Sequence, residues 1–295
     1  MCKLKSAIIL KDRIFMPDYD SHSKMLEELE ITDDYFNASK VFVRAELVPE
    51  NEDVFSDIDG WKLCVDQDIT PEWFDEKDCA DRMRNTVKEW AKTHIFVGQN
   101  DLKISHGENI FIKDCKNVEI CGNATVEYIY GNATVNYIRD NATVEYICGD
   151  ATVKYICGNV TVENICGNAA VKNIYGNATV ERICDNATIG NIYGNATVEN
   201  ICDEATVEYI YGNATVNYIR DNATVENIYD KATVKNIRGN ATVENICGDA
   251  TVISSSYSKW SNSASLIIAD NATFKDCYSK MIYQAGGWKF VEVKK

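Results

Sequence analysis

Gly122-Asn123-Ala124-Thr125-Val126-Glu127-Tyr128-Ile129-Tyr130 is the first of fourteen nine-residue units that follow one another to Cys247 without insertion or deletion. The consensus is G-N-A-T-V-E-(Y/N)-I-(C/Y/R). A short repeat held in phase over this length is the signature of a solenoid. Position three is Ala in every copy but Val160, position five is Val in every copy but Ile189, and position eight is always Ile. Ala and Val two apart, with Thr between them, alternate as a strand does, apolar in and hydroxyl out. Val to Ile is a step of three, which requires a bend. Gly or Asp at position one, followed mostly by Asn, marks a turn. Two β-branched residues, a turn-forming Asn and a frequent Gly in every unit defeat a helix. Each unit therefore reads as a short strand plus a corner, stacked on its neighbours about 4.8 Å apart.

The variable positions set the size of the coil. Read in alternate copies, position nine gives Tyr130, Cys148, Cys166, Cys184, Cys202, Arg220, Arg238 in one series and Arg139, Cys157, Tyr175, Tyr193, Tyr211, Tyr229, Cys247 in the other. Position six sorts likewise, with Glu127, Glu145, Glu163, Glu181 and Glu199 in one series, and position one places Asp185, Asp203 and Asp221 together. The expectation is an eighteen-residue coil of two repeats, about seven coils and about 34 Å of rigid rod. Residues 127–166 closely match 208–247, a trace of tandem duplication. Tyr, Cys and Arg are single-base neighbours in the genetic code, as are Gly and Asp, so drift under weak constraint accounts for the surface columns without function.

The chain of 295 residues is organised as an α+β module over 1–105, a β-solenoid over 106–252 with its regular repeats at 122–247, and a C-terminal cap over 253–295. In the first segment Ser6–Met16 reads as strand around a Lys-Asp turn. Ser21 caps a short helix carrying Met25, Leu26 and Leu29, and Lys40–Leu47 and Trp61–Val65 alternate as strands. Thr70-Pro71-Glu72 reads as a helix start, with the helix running to about Thr93 and Met83, Val87, Trp90 and Ala91 on one face. Residues 106–121 read as a lead-in coil. After Val252 come a Ser-rich stretch at Ser254–Ser265, an off-phase echo at Asp270–Phe274 and a mixed strand over Met281–Val293. Solenoids need such ends, because an open terminal coil exposes unpaired backbone.

The net charge of −15 is spread along the chain and argues against direct binding of nucleic acid or an anionic membrane. With no long apolar run and no signal peptide, a soluble, cytosolic protein is expected, and the twelve cysteines are read as free thiols in a reducing compartment. No nucleophile elbow, Walker loop or dinucleotide-binding glycine pattern is present. The repeat has too few glycines and aspartates for a calcium-binding nonapeptide, so no cofactor and no metal is expected. The rows of Asn and Thr could serve ice binding but are equally what any such surface needs. His22, His94 and His106 lack close-spaced ligand partners. Asp66-Gln67-Asp68 precedes the expected helix, and His22, Asp66 and Asp68 are the weak candidates for a site in this module. Trp61, Trp73 and Trp90 read as core.

Ser6–Leu29, Phe42–Leu47, Trp61–Asp68 and Val87–His94, followed by the G-N-A-T-V units, resemble a group of proteins of unassigned function from phages and gut bacteria. The resemblance implies a shared fold and brings no activity. The expectation is a non-enzymatic interaction protein with a protein partner, and a homo-oligomer is allowed. Its surface would be Glu127, Glu145, Glu163, Glu181 and Glu199 with Tyr175, Tyr193, Tyr211 and Tyr229. A DNA mimic acting on a host nucleic-acid enzyme is the alternative, and an enzyme or small-ligand binder built on the N-terminal module is the third reading.

Overall fold

The computed structural model describes residues 5–254 and, beyond them, the backbone of residues 267–268, 273–276 and 281–284. The chain divides into two compact units, Met1–Phe96 and Val97–Lys295.

The first unit is α+β. Strands β1 (Lys5–Leu10), β2 (Ile14–Phe15), β3 (Phe42–Val48) and β4 (Lys62–Val65) form an antiparallel sheet in the order β2-β1-β3-β4. The Lys-Asp turn closes the first hairpin through the Leu10 amide, which donates to Arg13 O at 2.8 Å. Helix α1 (His22–Glu28) starts at Ser21, whose hydroxyl accepts from the Lys24 amide, as the sequence implies. Its Met25 and Leu26 pack with Ile8, Leu10, Ala38 and Phe42 in one buried cluster. Helix α2 (Tyr35–Ala38) is a single turn capped by Asp34.

Helix α3 (Glu76–His94) begins later than the sequence suggests. Residues 71–74 form a turn in which the Phe74 amide donates to Pro71 O at 2.9 Å. The Trp73 indole N–H donates to Lys40 O at 2.8 Å, which ties that turn to the loop before β3. Asp75 is the cap, its carboxylate accepting from the Asp78 amide at 2.8 Å, with Glu76 and Asp78 at the positive end of the helix dipole. Met83, Val87 and Trp90 are buried on the expected face, whereas Ala91 is only half-buried.

The second unit is a β-solenoid of about nine turns. Each repeat forms one strand over positions four to eight, such as Thr143–Ile147, and each strand pairs in parallel with the strand one coil away: Thr143↔Thr161, Val144↔Val162, Tyr146↔Asn164 and Ile147↔Ile165. The offset is eighteen residues throughout the repeats, so alternate units build two separate sheets, one of ten strands and one of twelve. The two-repeat coil read from the variable columns is the coil observed. Strands outside the regular repeats lengthen the stack beyond seven coils. Ile110–Lys113 and Val118–Ile120 join before it, and Thr251–Ser254 and Thr273–Asp276 after it. Met281–Gln284 then pairs antiparallel to Thr273–Asp276 at the sheet edge, breaking the parallel progression. Most of the Ser-rich stretch and residues 285–295 lie outside the described residues.

The interior follows directly from the unit. Ala, Val and Ile at positions three, five and eight are buried in every coil. Burying an aliphatic side chain of the size of Val or Ile contributes about 1.5–3 kcal/mol. Val and Ile, three apart, both reach the interior because the pairing passes over position six. Asn at position seven then supplies a donor to the position-six carbonyl of the preceding coil, at 3.3–3.5 Å for Asn173, Asn191, Asn200, Asn227, Asn236 and Asn245.

The corner is more tightly specified than the codon argument allows. Position one has positive φ in all fourteen units, whether Gly or Asp. A Cβ on Gly149 would stand 2.9 Å from the Gly131 amide nitrogen of the coil before it. Asp is tolerated at φ between +54° and +66° because its carboxylate can take up that amide: Gly122 donates to Asp140 Oδ2 at 3.1 Å and Gly167 to Asp185 Oδ2 at 2.9 Å. At position two, Asn123, Asn141, Asn159, Asn177, Asn195 and Asn213 form an amide ladder with spacings of 3.2–3.3 Å. Columns that the sequence presents as loosely constrained are therefore held by backbone geometry and by contacts between coils.

Candidate functional site

Three side-chain columns on the solenoid and one polar cluster in the first unit concentrate the chemistry. Glu127, Glu145, Glu163, Glu181 and Glu199 occupy position six of five successive strands in the twelve-stranded sheet. The ladder holds their backbones about 4.8 Å apart. Glu181 is exposed and the other four are half-buried. Glu163, between two like charges, is pushed above the usual carboxylate range, first by burial and then by Glu145 and Glu181. Among the described residues no ion pair neutralises Glu145, Glu163 or Glu181. The Asn217 amide bonds to Glu199 and ends the column.

The tyrosine column follows the ten-stranded sheet. Tyr175–Tyr193, Tyr193–Tyr211 and Tyr211–Tyr229 stack with ring centroids 4.9–5.0 Å apart and planes within 8°. Ring spacing is thus the coil spacing, and parallel stacking is the only arrangement that repeats with it. Tyr155 meets Tyr175 edge-on, continuing the aromatic row onto position seven. A side-chain hydrogen bond with Cys157, together with burial, lifts the Tyr175 phenol to about 12. Burial raises Tyr193, Tyr211 and Tyr229 as well, so the column presents neutral phenol hydroxyls. The stacked faces cover one another.

In the first unit the structure brings His22 and Asp66 together, Nδ1 to Oδ2 at 3.4 Å. The His22 ring is buried and its Nε2 lies 3.2 Å from Ala45 O. Asp68 is exposed, and among the described residues no hydrogen bond or ion pair joins it to His22 or Asp66. Gln67 between them, which the sequence gives no reason to single out, latches the region. Its Oε1 accepts from the Arg44 amide at 2.8 Å, and its Nε2 donates to Phe42 O at 3.1 Å and Ile69 O at 2.6 Å.

A second cluster also escapes sequence reasoning. Lys5 is buried on β1, donates to Pro17 O at 2.6 Å, lies 3.9 Å from Asp20 and sits over the Trp90 ring. Burial lowers the Lys5 amine and raises the Asp20 carboxyl, each partly offset by the other's charge. Nothing in a terminal Lys-Leu-Lys stretch signals such burial. The Lys5 and Asp20 side chains are spent on backbone and on one another, which is what a structural pair needs.

Comparison with known proteins finds no matching family model, no matching curated protein and no matching solved structure. Among the described residues no helix is long and apolar enough to cross a membrane.

Proposed function

We propose that the protein is a non-enzymatic interaction scaffold, phage-derived as its resemblance suggests and working in the cytoplasm, whose acidic solenoid face docks a basic protein surface. The observation that supports this reading is the glutamate column. Like charges held about 5 Å apart oppose folding unless solvent or a partner relieves them. Here a rigid ladder holds them in line, and burial first, then the Glu145 and Glu181 charges, raises the Glu163 pKa. Lys or Arg side chains at matching spacing would relieve that repulsion, and the tyrosine hydroxyls on the other sheet offer a second, neutral row.

The test is a full-length variant with Glu127, Glu145, Glu163, Glu181 and Glu199 all changed to Gln. Partner capture should fall with the variant and with rising salt, since both remove the same attraction. Capture that survives both changes would overturn the reading. DNA and polyglutamate at equal charge are added to the wild-type capture to test the mimic alternative: a mimic's partner is displaced far better by DNA, whereas a partner held by charge alone is displaced by both alike.

A further inference from the structure

The solenoid corner beyond the twelve-stranded sheet carries a thiol column, Cys148, Cys166, Cys184 and Cys202, directly before the position-one column that holds Asp185, Asp203 and Asp221. Stacking brings the two rows together. The Sγ of Cys184 and carboxylate oxygens of Asp185 and Asp203 lie within 4.8 Å of one another, and so do those of Cys202, Asp203 and Asp221. Both thiols are more than nine-tenths buried, at 8 % and 2 % exposure, while Asp185 and Asp203 are exposed. We propose that this edge binds two thiophilic divalent cations of the zinc class, one held by Cys184, Asp185 and Asp203 and the other by Cys202, Asp203 and Asp221, with Asp203 bridging them.

The donor set selects the ion. One sulfur and two carboxylate oxygens suit a borderline-soft cation that takes four ligands, with solvent in the fourth place. Calcium would need six to eight oxygens and gains nothing from a thiol. A tetrahedral zinc centre sets its donors about 3.3–3.8 Å apart, so the sets have to contract by no more than about 1 Å, within reach of Cys and Asp side-chain rotation.

The carboxylates already work structurally, but through Oδ2. Gly167 N donates to Asp185 Oδ2 at 2.9 Å, Asp185 N and Cys202 Sγ both reach Asp203 Oδ2 at 3.5 Å, and Arg220 pairs with Asp221 Oδ2 at 3.0 Å. Among the described residues Oδ1 of each carboxylate has no hydrogen bond and remains for an ion; at Asp203 the second ion would take Oδ2, which Cys202 Sγ releases as its thiol loses the proton. Two thiolates and three carboxylates facing two divalent ions and the Arg220 guanidinium come to overall neutrality. The thiols bind as thiolates: as each metal–sulfur bond forms, the S–H proton passes to solvent, one per ion. Because each thiol gives up its proton on binding, uptake strengthens as pH rises.

The experiment uses the full-length, chelator-stripped protein. Zn²⁺ is titrated by calorimetry in buffers of different ionisation enthalpy, and Cd²⁺ by its thiolate charge-transfer absorption. The expected result is two ions and two released protons per chain. Asp203→Asn keeps a residue that accepts positive φ, and it should weaken both sites by more than the 10–100-fold typical of losing an outer-shell partner, about the least a lost ligand costs. Asp185→Asn and Asp221→Asn should each remove one ion, and Cys184→Ala with Cys202→Ala should abolish the absorption. Asp230→Asn, at a corner beside Tyr229 rather than a thiol, should change nothing. No uptake by the wild type, uptake indifferent to Asp203→Asn, or absorption that persists in the double-cysteine variant would each overturn the proposal. These readouts do not involve the glutamate column, so failure of one proposal leaves the other standing.

Discussion

In the Met1–Phe96 unit the largest buried side chains include Trp61, Lys5, Phe42, Met25 and Met83, each with its own neighbours; from coil to coil of the solenoid the buried side chains are Ala, Val and Ile again and again. The first unit solves each polar problem once. Gln67 latches one loop, the Arg84 guanidinium donates to Trp61 O at 2.9–3.1 Å, and the Trp61 indole reaches Ser56. The solenoid solves one polar problem many times, with a positive-φ corner, an asparagine ladder and an amide reaching the position-six carbonyl. A heterogeneous core concentrates its specificity in few contacts. A periodic one distributes it, so that a defect costs one coil and its two interfaces.

The sharpest way to break this contrast is to damage each core at one residue. Ile183 is fully buried in a middle coil. Ile183→Ala should cost about 2–5 kcal/mol, and Ile183→Asp considerably more. Segment-resolved hydrogen exchange should show the loss centred on the adjacent coils and spreading along the stack. Phe42→Ala, costing about 3–5 kcal/mol, should instead raise exchange across the whole first unit at once. An unchanged melting temperature for Ile183→Asp would mean that the Ile column does not form the core.

Next in size is the corner. Gly149→Val forces a β-branched residue to φ +70° against the Gly131 backbone and should destabilise by about 2 kcal/mol or more. Gly149→Asp should cost distinctly less, because its carboxylate can accept the Gly131 amide as Asp140 and Asp185 do for theirs. Equal melting temperatures for the two variants would remove the proposed reason for the Gly/Asp alternation.

Alkaline unfolding gives a smaller, graded effect. A thiol whose folded pKa is raised contributes stability that is full below its unfolded pKa near 9 and is lost as pH climbs through the folded value. For Cys202 that window runs from 9.0 to about 12. With chelator present, denaturant unfolding should show stability falling across it, and Cys202→Ala should flatten the slope by at most about 1.4 kcal/mol per pH unit. A slope unaltered by the substitution would place the titration elsewhere.

The smallest effects are on the surface. Glu163→Gln should stabilise the solenoid by about 0.2–1 kcal/mol at low salt, and less as salt rises. The folded Glu163 pKa is raised, so the charged form is the disfavoured one. The gain should appear above the unfolded value near 4.5 and vanish below it. The partly exposed Arg44–Asp33 pair of the first unit, bonded at 2.8 and 2.9 Å, gives the opposite sign: Asp33→Asn should cost up to about 1 kcal/mol. Thermal melts of the two variants across a salt series distinguish relief of repulsion from loss of attraction.

The sequence by itself determined whatever each nine-residue unit repeats: the strand, the Ala-Val-Ile interior, the corner, and, through the sorted Cys, Tyr and Glu series, the eighteen-residue coil. It also placed the Ser21 cap and the buried face of the long helix, because those signals are local. Only the tertiary structure showed that position one is left-handed against the backbone of the coil before it, that Asp75 rather than Thr70 starts the helix, that His22 meets Asp66, and that Lys5 is buried over Trp90. It alone set Cys184 beside Asp203 in the next coil. Periodic burial is written into every unit and accumulates as pattern. A contact between residues brought together by stacking or sheet pairing depends on side-chain reach and backbone direction, and neither leaves a mark at the separate positions that make it.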